Sequence, residues 1–410
     1  MNAVAPEILT TEVAVIGGGI IGLGIAWEAQ RAGHTVTVID PAPATGATFA
    51  AAGMLAPVSE LHYQEDALLQ LTLASAARWP EFAGSLPDGL PTGFNTSPTL
   101  VLGGDPADRQ ALSDLRDVQL LHGLEVSQLS IREARALEPM IGPQISCAYK
   151  VESDHQVDPR AMAAALRAAL VASASVRGTS AASFIEQTAT SLLHEDPNDT
   201  HSRVTGVLLA DGREIHAREV IVANALGSPA LTGLPGGLNL PIRAVYGDIL
   251  RLRVPEHLRP LTTATIRGMV RGVPVYIVPR EDGTVVIGAT SREDHNAGVS
   301  AGGVHQLLRD AQVLLPAVAE LELLECTARA RPGTPDNAPL LGRVAGADGK
   351  DIPGLIIATG FFRHGVLLTA IAANIVRQLL GNITDLAWKD FRPDRFSPTL
   401  HPAHTAGHTT

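Results

Sequence analysis

Val13-Ala14-Val15-Ile16-Gly17-Gly18-Gly19-Ile20-Ile21-Gly22 decides the fold. Four apolar residues read as a buried strand. Glycines 17, 19 and 22 then open a stretch predicted to be helical from Ile20 to Ala32, ending near Gly33. Thr35 to Ile39 reads as a second strand and closes on Asp40. This is a βαβ unit, which predicts a parallel sheet. In Gly17-x-Gly19-x-x-Gly22 the first glycine permits a tight turn, the second lets a pyrophosphate approach the backbone, and the third lets helix and strand pack closely. The helix N-terminus offers N–H groups to the anion. Asp40 lies eighteen residues beyond Gly22, where a carboxylate can bind ribose hydroxyls. The competing reading is a structural turn with Asp40 as a helix cap. The fingerprint does not choose between NAD and FAD.

Working outward, Thr45 to Leu55 is a run of small residues ending in apolar ones, suited to backbone contact with a ligand or simply to a loop. Ala67 to Phe82, Ala107 to Leu121 and Ala161 to Ser173 read as helices, and Pro87 to Pro98 as turns. Asp211-Gly212 and Asp282-Gly283 each sit between alternating apolar runs, Arg203 to Ala210 with Arg213 to Ala217 and Val273 to Pro279 with Thr284 to Thr290; both signal hairpins. Val220 to Ala223 and Leu355 to Ala358 read as short buried strands. Gln187 to Ser202 reads as a polar surface excursion. Near the back, Gly360-Phe361-Phe362-Arg363-His364-Gly365 opens a last helix predicted from Gly365 to Leu380. It can bring a cation and a helix N-terminus to the same ligand.

The parallel-strand pieces lie at the front, middle and back, with the antiparallel pieces between them. The expectation is therefore two interleaved domains. Residues 1–85, 150–225 and 335–395 form the nucleotide domain, 86–149 and 226–334 the substrate domain, and 396–410 a flexible tail.

A net charge of -11 argues against sequence-independent binding to nucleic acid or anionic lipid. Two cysteines, Cys147 and Cys326, make neither a disulfide framework nor a metal cluster and fit a reducing, cytoplasmic setting. Both read as small buried hydrophobes. No stretch approaches the roughly 18 uninterrupted apolar residues of a spanning helix.

Several segments together resemble the glycine oxidases of the thiamine-biosynthesis type, within the D-amino acid oxidase group of flavoproteins. They are the glycine fingerprint, Ala51-Ala52-Gly53-Met54-Leu55, Val157-Asp158-Pro159-Arg160, Tyr276-Ile277-Val278-Pro279-Arg280, Gly288-Ala289-Thr290, Arg331-Pro332-Gly333-Thr334-Pro335-Asp336 and Phe362-Arg363-His364-Gly365-Val366-Leu367-Leu368. Their order covers roughly residues 10 to 385. The resemblance implies an α/β (α+β) chain: a Rossmann-type FAD domain interleaved with a substrate domain on a mixed, mainly antiparallel sheet. It implies non-covalent FAD held by Gly17, Gly19, Ile20, Ile21, Gly22, Asp40, Pro41, Ala47, Thr48, Ala52, Gly53, Met54, Ala182 and Phe361 through Leu367, that is Phe361, Phe362, Arg363, His364, Gly365, Val366 and Leu367.

It further implies an FAD-dependent oxidase that deaminates glycine or another small amino acid through an imine to a 2-oxo acid and ammonia, with hydrogen peroxide formed from dioxygen. The carboxylate-binding arginine maps to Arg331, the second pocket arginine to Arg363 and the pocket tyrosine to Tyr276. A homotetramer is expected. A small amino acid offers little apolar area, so its binding rests on charge, and a guanidinium can hold its carboxylate through two hydrogen bonds. The competing reading pairs Arg331 with an internal acid such as Asp336 and leaves Tyr276 to core packing.

Pro274, Val275, Ser291, His364, Asp248 and Leu226-Gly227 depart from the glycine oxidase pattern and put the substrate in question more than the reaction. Cys326 is out of register for the covalent flavin link of sarcosine oxidases. Three rivals remain: a D-amino acid or secondary-amine dehydrogenase with a non-oxygen acceptor, a non-catalytic flavin-binding module, and an NAD-dependent dehydrogenase.

Overall fold

The structure, a computed structural model, describes residues 9–172 and 181–397. The tail expected from residue 396 falls outside these beyond Ser397, as does Ser173 at the end of a predicted helix. The described residues divide into two compact units, one within Met1–Thr45, Leu166–Arg243 and Pro332–Thr410, the other within Gly46–Ala165 and Ala244–Arg331. The sequence grouped residues 46–85 and 150–165 with the front segment and 226–243 and 332–334 with the substrate domain; here the former belong to the second unit and the latter to the first. Lys150 and Val151 pair with Leu100 and Thr99 of the second unit's sheet and Arg280 donates to Gln156 Oε1 at 3.1 Å, while two local ties join the two segments to each other. Met54–Leu55 pairs antiparallel with His155–Gln156, and the buried Asp154 carboxylate accepts the N–H groups of Val58 and Ser59 at 3.0 and 2.8 Å.

The first unit is built on an eight-stranded sheet. Along its main path the strands are Leu340–Gly342, Leu355–Thr359, Glu214–Val222, Leu9–Ile16, Val36–Ile39 and Ser183–Ile185. All but the first neighbour pair run parallel. Parallel strands are covered on both faces, which is why Val13–Ile16 and Leu355–Ile357 are continuous apolar runs, each residue at most 2% exposed. The helices Ile20–Arg31 and Thr369–Leu380 pack on each other.

The Asp211-Gly212 hairpin forms as read, joining Val204–Leu209 to Glu214–Val222. Its second strand does not stop at Ala217 but runs on as the parallel strand expected from Val220. Gln187 to Ser202 corrects another expectation: it contains the strand Ala189–His194, paired with Val204–Leu209 and anchored by buried Leu192. Only one of its six residues is buried, so apolar alternation was too weak to signal it.

The second unit carries an eight-stranded mixed sheet. Its order is Glu322–Gly333, Arg243–Arg253, Thr284–Gly288, Val273–Pro279, Thr265–Val270, Thr99–Gly103, Cys147–Val151 and Ser127–Leu129. Alternation sorts its side chains. One face presents Leu250, Leu252, Val275, Ile277, Val285 and Ile287 to a core completed by Leu307, Ala311 and Leu314 of the helix Ala301–Leu314. Residues of the other parity, including Ile249, Tyr276, Val278 and Val286, face the opposite way. Of the two cysteines, Cys147 is buried as expected. Cys326 is only half-buried, because it lies on the edge strand; both are free thiols.

Candidate active site

In the first unit, Gly17 has φ +111°, and a Cβ there would strike the carbonyl of Ala223. A Cβ on Gly22 would strike the carbonyl of Gly17, so helix and turn touch through bare backbone. Gly19 caps the twelve-residue helix Ile20–Arg31 in extended conformation, with no side-chain cap and no acid in the first turn. Its positive end is therefore kept open to an anion. Asp40 accepts the N–H groups of Gly18 at 2.6 Å and Ala42 at 2.8 Å. This carboxylate ties the glycine turn to the end of the second strand, and an ionised carboxylate has about four acceptor positions in all. The turn, the uncapped helix and the acid fit a dinucleotide. Ile20 and Ile21 are buried and Pro41 is exposed. Ala182 is buried, its N–H donating to the carbonyl of Leu170 at 3.0 Å.

The Gly360–Leu367 segment lies in the same unit. Gly360 and Phe362 have positive φ, +71° and +45°. Phe361, His364, Val366 and Leu367 are buried; Phe362, Arg363 and Gly365 are half-buried. Arg363 and Arg243 both approach the Phe362 ring at 5.7 Å. The helix expected from Gly365 instead begins at Thr369, after a 3-10 turn over Phe362–His364 and an irregular turn. Residues 365–368 form that turn, with the Leu368 N–H donating to the His364 carbonyl at 2.8 Å, and the regular helix follows it.

The second unit carries the remaining candidates. Ala47 and Thr48 lie in the short helix Ala47–Ala50. Gly53 has φ +79°, and a Cβ there would strike the carbonyl of Val157. Ala52 is buried and Met54 half-buried. Arg280 underpins this stretch. Its guanidinium bonds the carbonyl of Ala52, Gln156 Oε1 at 3.1 Å and the carbonyl of Val157 at 3.3 Å, and lies 3.5 Å from Asp158. Burial draws its pKa down to about 10. Arg160 forks onto Glu325 at 2.7 and 3.0 Å and covers the Phe49 ring at 3.4 Å. These two arginines were quoted in the sequence as markers, without a role.

Arg331 and Tyr276 stand on the same face of this sheet. Two strands separate their own, and each of the two contributes a glycine. The Arg331 guanidinium lies against Gly247, where a Cβ would collide with both terminal nitrogens. The Tyr276 hydroxyl lies over its register partner Gly288, where a Cβ would collide with the phenol. Each polar tip thus reaches one strand inward over a bare backbone floor. Arg331 also donates to the carbonyl of Thr290 at 3.3 Å. Among the described residues no carboxylate pairs with Arg331. Asp336, the acid once weighed as its partner, instead receives the fork of Arg395 at 2.9 and 3.0 Å. Burial pushes the Tyr276 hydroxyl up to about 12, with the Arg331 charge pulling the other way. The phenol stays protonated and can donate.

Sequence reading missed the two floor glycines. Glycine inside a strand was the available signal, since it marks close approach of another group.

Residues 12–379 match the family model described as FAD dependent oxidoreductase (DAO). The chain is 31% identical over 402 residues to the bifunctional protein ThiO/ThiG of Synechocystis sp., covering 96% of this chain and 55% of that one. It thus spans about half the length of the bifunctional proteins it matches. It is 30% identical over 377 residues to a glycine oxidase of Geobacillus kaustophilus, covering 90% and 92% of the two chains. The crystal structure of glycine oxidase from Geobacillus kaustophilus superposes with a TM-score of 0.81 at 27% identity, over 94% of this chain and 99% of that one. The chain belongs to the FAD dependent oxidoreductase (DAO) family.

Proposed function

We propose that the protein catalyses oxidative deamination of glycine or another small amino acid, releasing a 2-oxo acid and ammonia, with dioxygen as electron acceptor and hydrogen peroxide as product. The observation that carries this reading is Arg331: a cation with no carboxylate partner among the described residues, resting on a glycine floor and sharing its face with the Tyr276 hydroxyl. A half-buried guanidinium without an anion favours an anionic ligand. The relatives named as glycine oxidases support an amino acid in that role.

The residues divide the work. Arg331 holds the substrate carboxylate, and Tyr276 donates a further hydrogen bond from its protonated hydroxyl. The glycine turn and the N-terminus of the helix Ile20–Arg31 hold the pyrophosphate of non-covalent FAD, and Asp40 binds its ribose. Ile20, Ile21, Pro41 and Ala182 complete that cradle in the first unit. The resemblance also assigns Ala47, Thr48 and Ala52–Met54 to FAD. The resemblance assigns Phe361–Leu367 to the same cofactor and gives Arg363 the role of a further substrate cation. FAD, when bound, supplies the electron sink for oxidation of the amine. The protein contributes orientation and charge, and no acid–base pair is required. The resemblance extends the reading to a homotetramer in the cytoplasm and a place in thiamine biosynthesis.

The test is peroxide formation in air with glycine, sarcosine, D-alanine and D-proline. Arg331→Leu should raise KM strongly while FAD stays bound. Bleaching under anaerobic substrate without peroxide in air would favour a dehydrogenase. No bleaching with any substrate would leave only a flavin-binding module.

A further inference from the structure

Beneath the Arg331 guanidinium lies a buried acid with no part in the reading above. Asp248 is fully enclosed. Its Oδ2 accepts the Thr290 hydroxyl at 2.8 Å, and its Oδ1 accepts Arg292 at 3.1 Å and the Ser300 N–H at 3.3 Å. Its own N–H donates to Thr290 Oγ1 at 2.7 Å, and the Thr290 N–H returns to its carbonyl at 3.3 Å. Ser300 caps the helix Ala301–Leu314, and a Cβ on Gly303 would collide with Asp248 Oδ2. The carboxylate is therefore wedged between the first turn of that helix and the loop leaving the Thr284–Gly288 strand.

Two of its attachments converge on Arg331. Gly247, its covalent neighbour, is the floor on which the guanidinium lies. Thr290, bonded to Asp248 through three contacts, presents the carbonyl that Arg331 donates to at 3.3 Å. A shift of the Asp248 side chain moves both supports together. Arg292 keeps Asp294 as a second partner at 3.0 Å, so the acid is not needed merely to neutralise it.

We propose that Asp248 is a positioning residue: it sets the direction of the Arg331 guanidinium by fixing Gly247 and Thr290, and so tunes recognition of the substrate carboxylate without touching it. The inference rests on the reading of Arg331 as the carboxylate anchor. A buried charged acceptor locks its donors more firmly than a neutral one, because charge-assisted bonds are roughly twice as strong.

The test measures acetate binding to the FAD-loaded protein by perturbation of the flavin absorbance, in wild type, Asp248→Asn, Arg331→Leu and the double variant. Asp248→Asn should raise the acetate Kd about tenfold with kcat and FAD affinity close to wild type, and the effect should vanish in the Arg331→Leu background. Thr290→Val cuts the same link from the other side and should reproduce the weaker acetate binding; it serves if Asp248→Asn does not fold. Equal acetate affinity in Thr290→Val and wild type, or additive losses in the double variant, overturns the proposal while leaving Arg331 as anchor. An unchanged acetate Kd in Arg331→Leu overturns the anchor itself, and the proposal with it.

Discussion

The guanidinium of Arg331 rests on the backbone of Gly247 so closely that residue 247 has no room for a Cβ. Neither residue is near the other in sequence. Neighbouring strands bring them together, the glycine as absent side chain and the arginine as the charge that fills the space.

Gly247→Ala should therefore act as a displacement of Arg331. Losing one charge-assisted hydrogen bond to substrate costs roughly 2 kcal/mol, or about thirtyfold in affinity. Steady-state kinetics should give a raised KM, and titration with FAD should give wild-type affinity. Unaltered KM would mean that the guanidinium orientation does not matter to substrate.

Tyr276 should ionise late. Its hydroxyl has an ordinary value of 10.0 and is pushed up to about 12 by burial. The folded state therefore holds this proton where the unfolded state releases it, so the contribution to stability is complete below about pH 10 and is lost as pH rises toward 12. Alkaline absorbance titration of wild type against Tyr276→Phe should assign the last tyrosinate among the 4 tyrosines to this residue. A difference appearing near pH 10 would contradict it.

Gly17→Ala should cost both fold and cofactor. The φ of +111° is strained for alanine, a cost of order 1–3 kcal/mol, and the Cβ would also strike the Ala223 carbonyl. A lowered Tm and a colourless purified protein are the expected readouts.

Arg280→Met should destabilise the second unit by about 3 kcal/mol, the lower end for removing one partner of a buried ion pair, because Asp158 keeps 24% of its side chain exposed. The Ala52 and Val157 carbonyls lose their donor at the same time. Denaturant unfolding measures the first effect. Weaker FAD binding would report the second.

Much of the site was legible because it is local. The Gly17–Gly22 turn, Asp40 at the end of the next strand and both Asp-Gly hairpins follow from steric rules that act within a few residues. The late start of the last helix was not, because residues 365–368 form a turn that nothing in their side chains announces. The strand Ala189–His194 was missed for a different reason. Most of its residues are only half-buried, and pairing across the sheet stabilises it more than its own pattern does. Asp248 carried no sequence signal of support for Arg331, since its partners Thr290, Arg292 and Ser300 lie more than forty residues away.

From its sequence alone this chain is committed to a βαβ dinucleotide turn and to interleaved parallel and antiparallel pieces, because backbone sterics and hydrophobic periodicity operate over short stretches of chain. Only the tertiary structure decided that Arg331 lies on Gly247 rather than against Asp336, and that Asp336 belongs to Arg395. Which cation meets which acid depends on strand order and on which side chains share a face, and both are set by long-range pairing that no local pattern encodes.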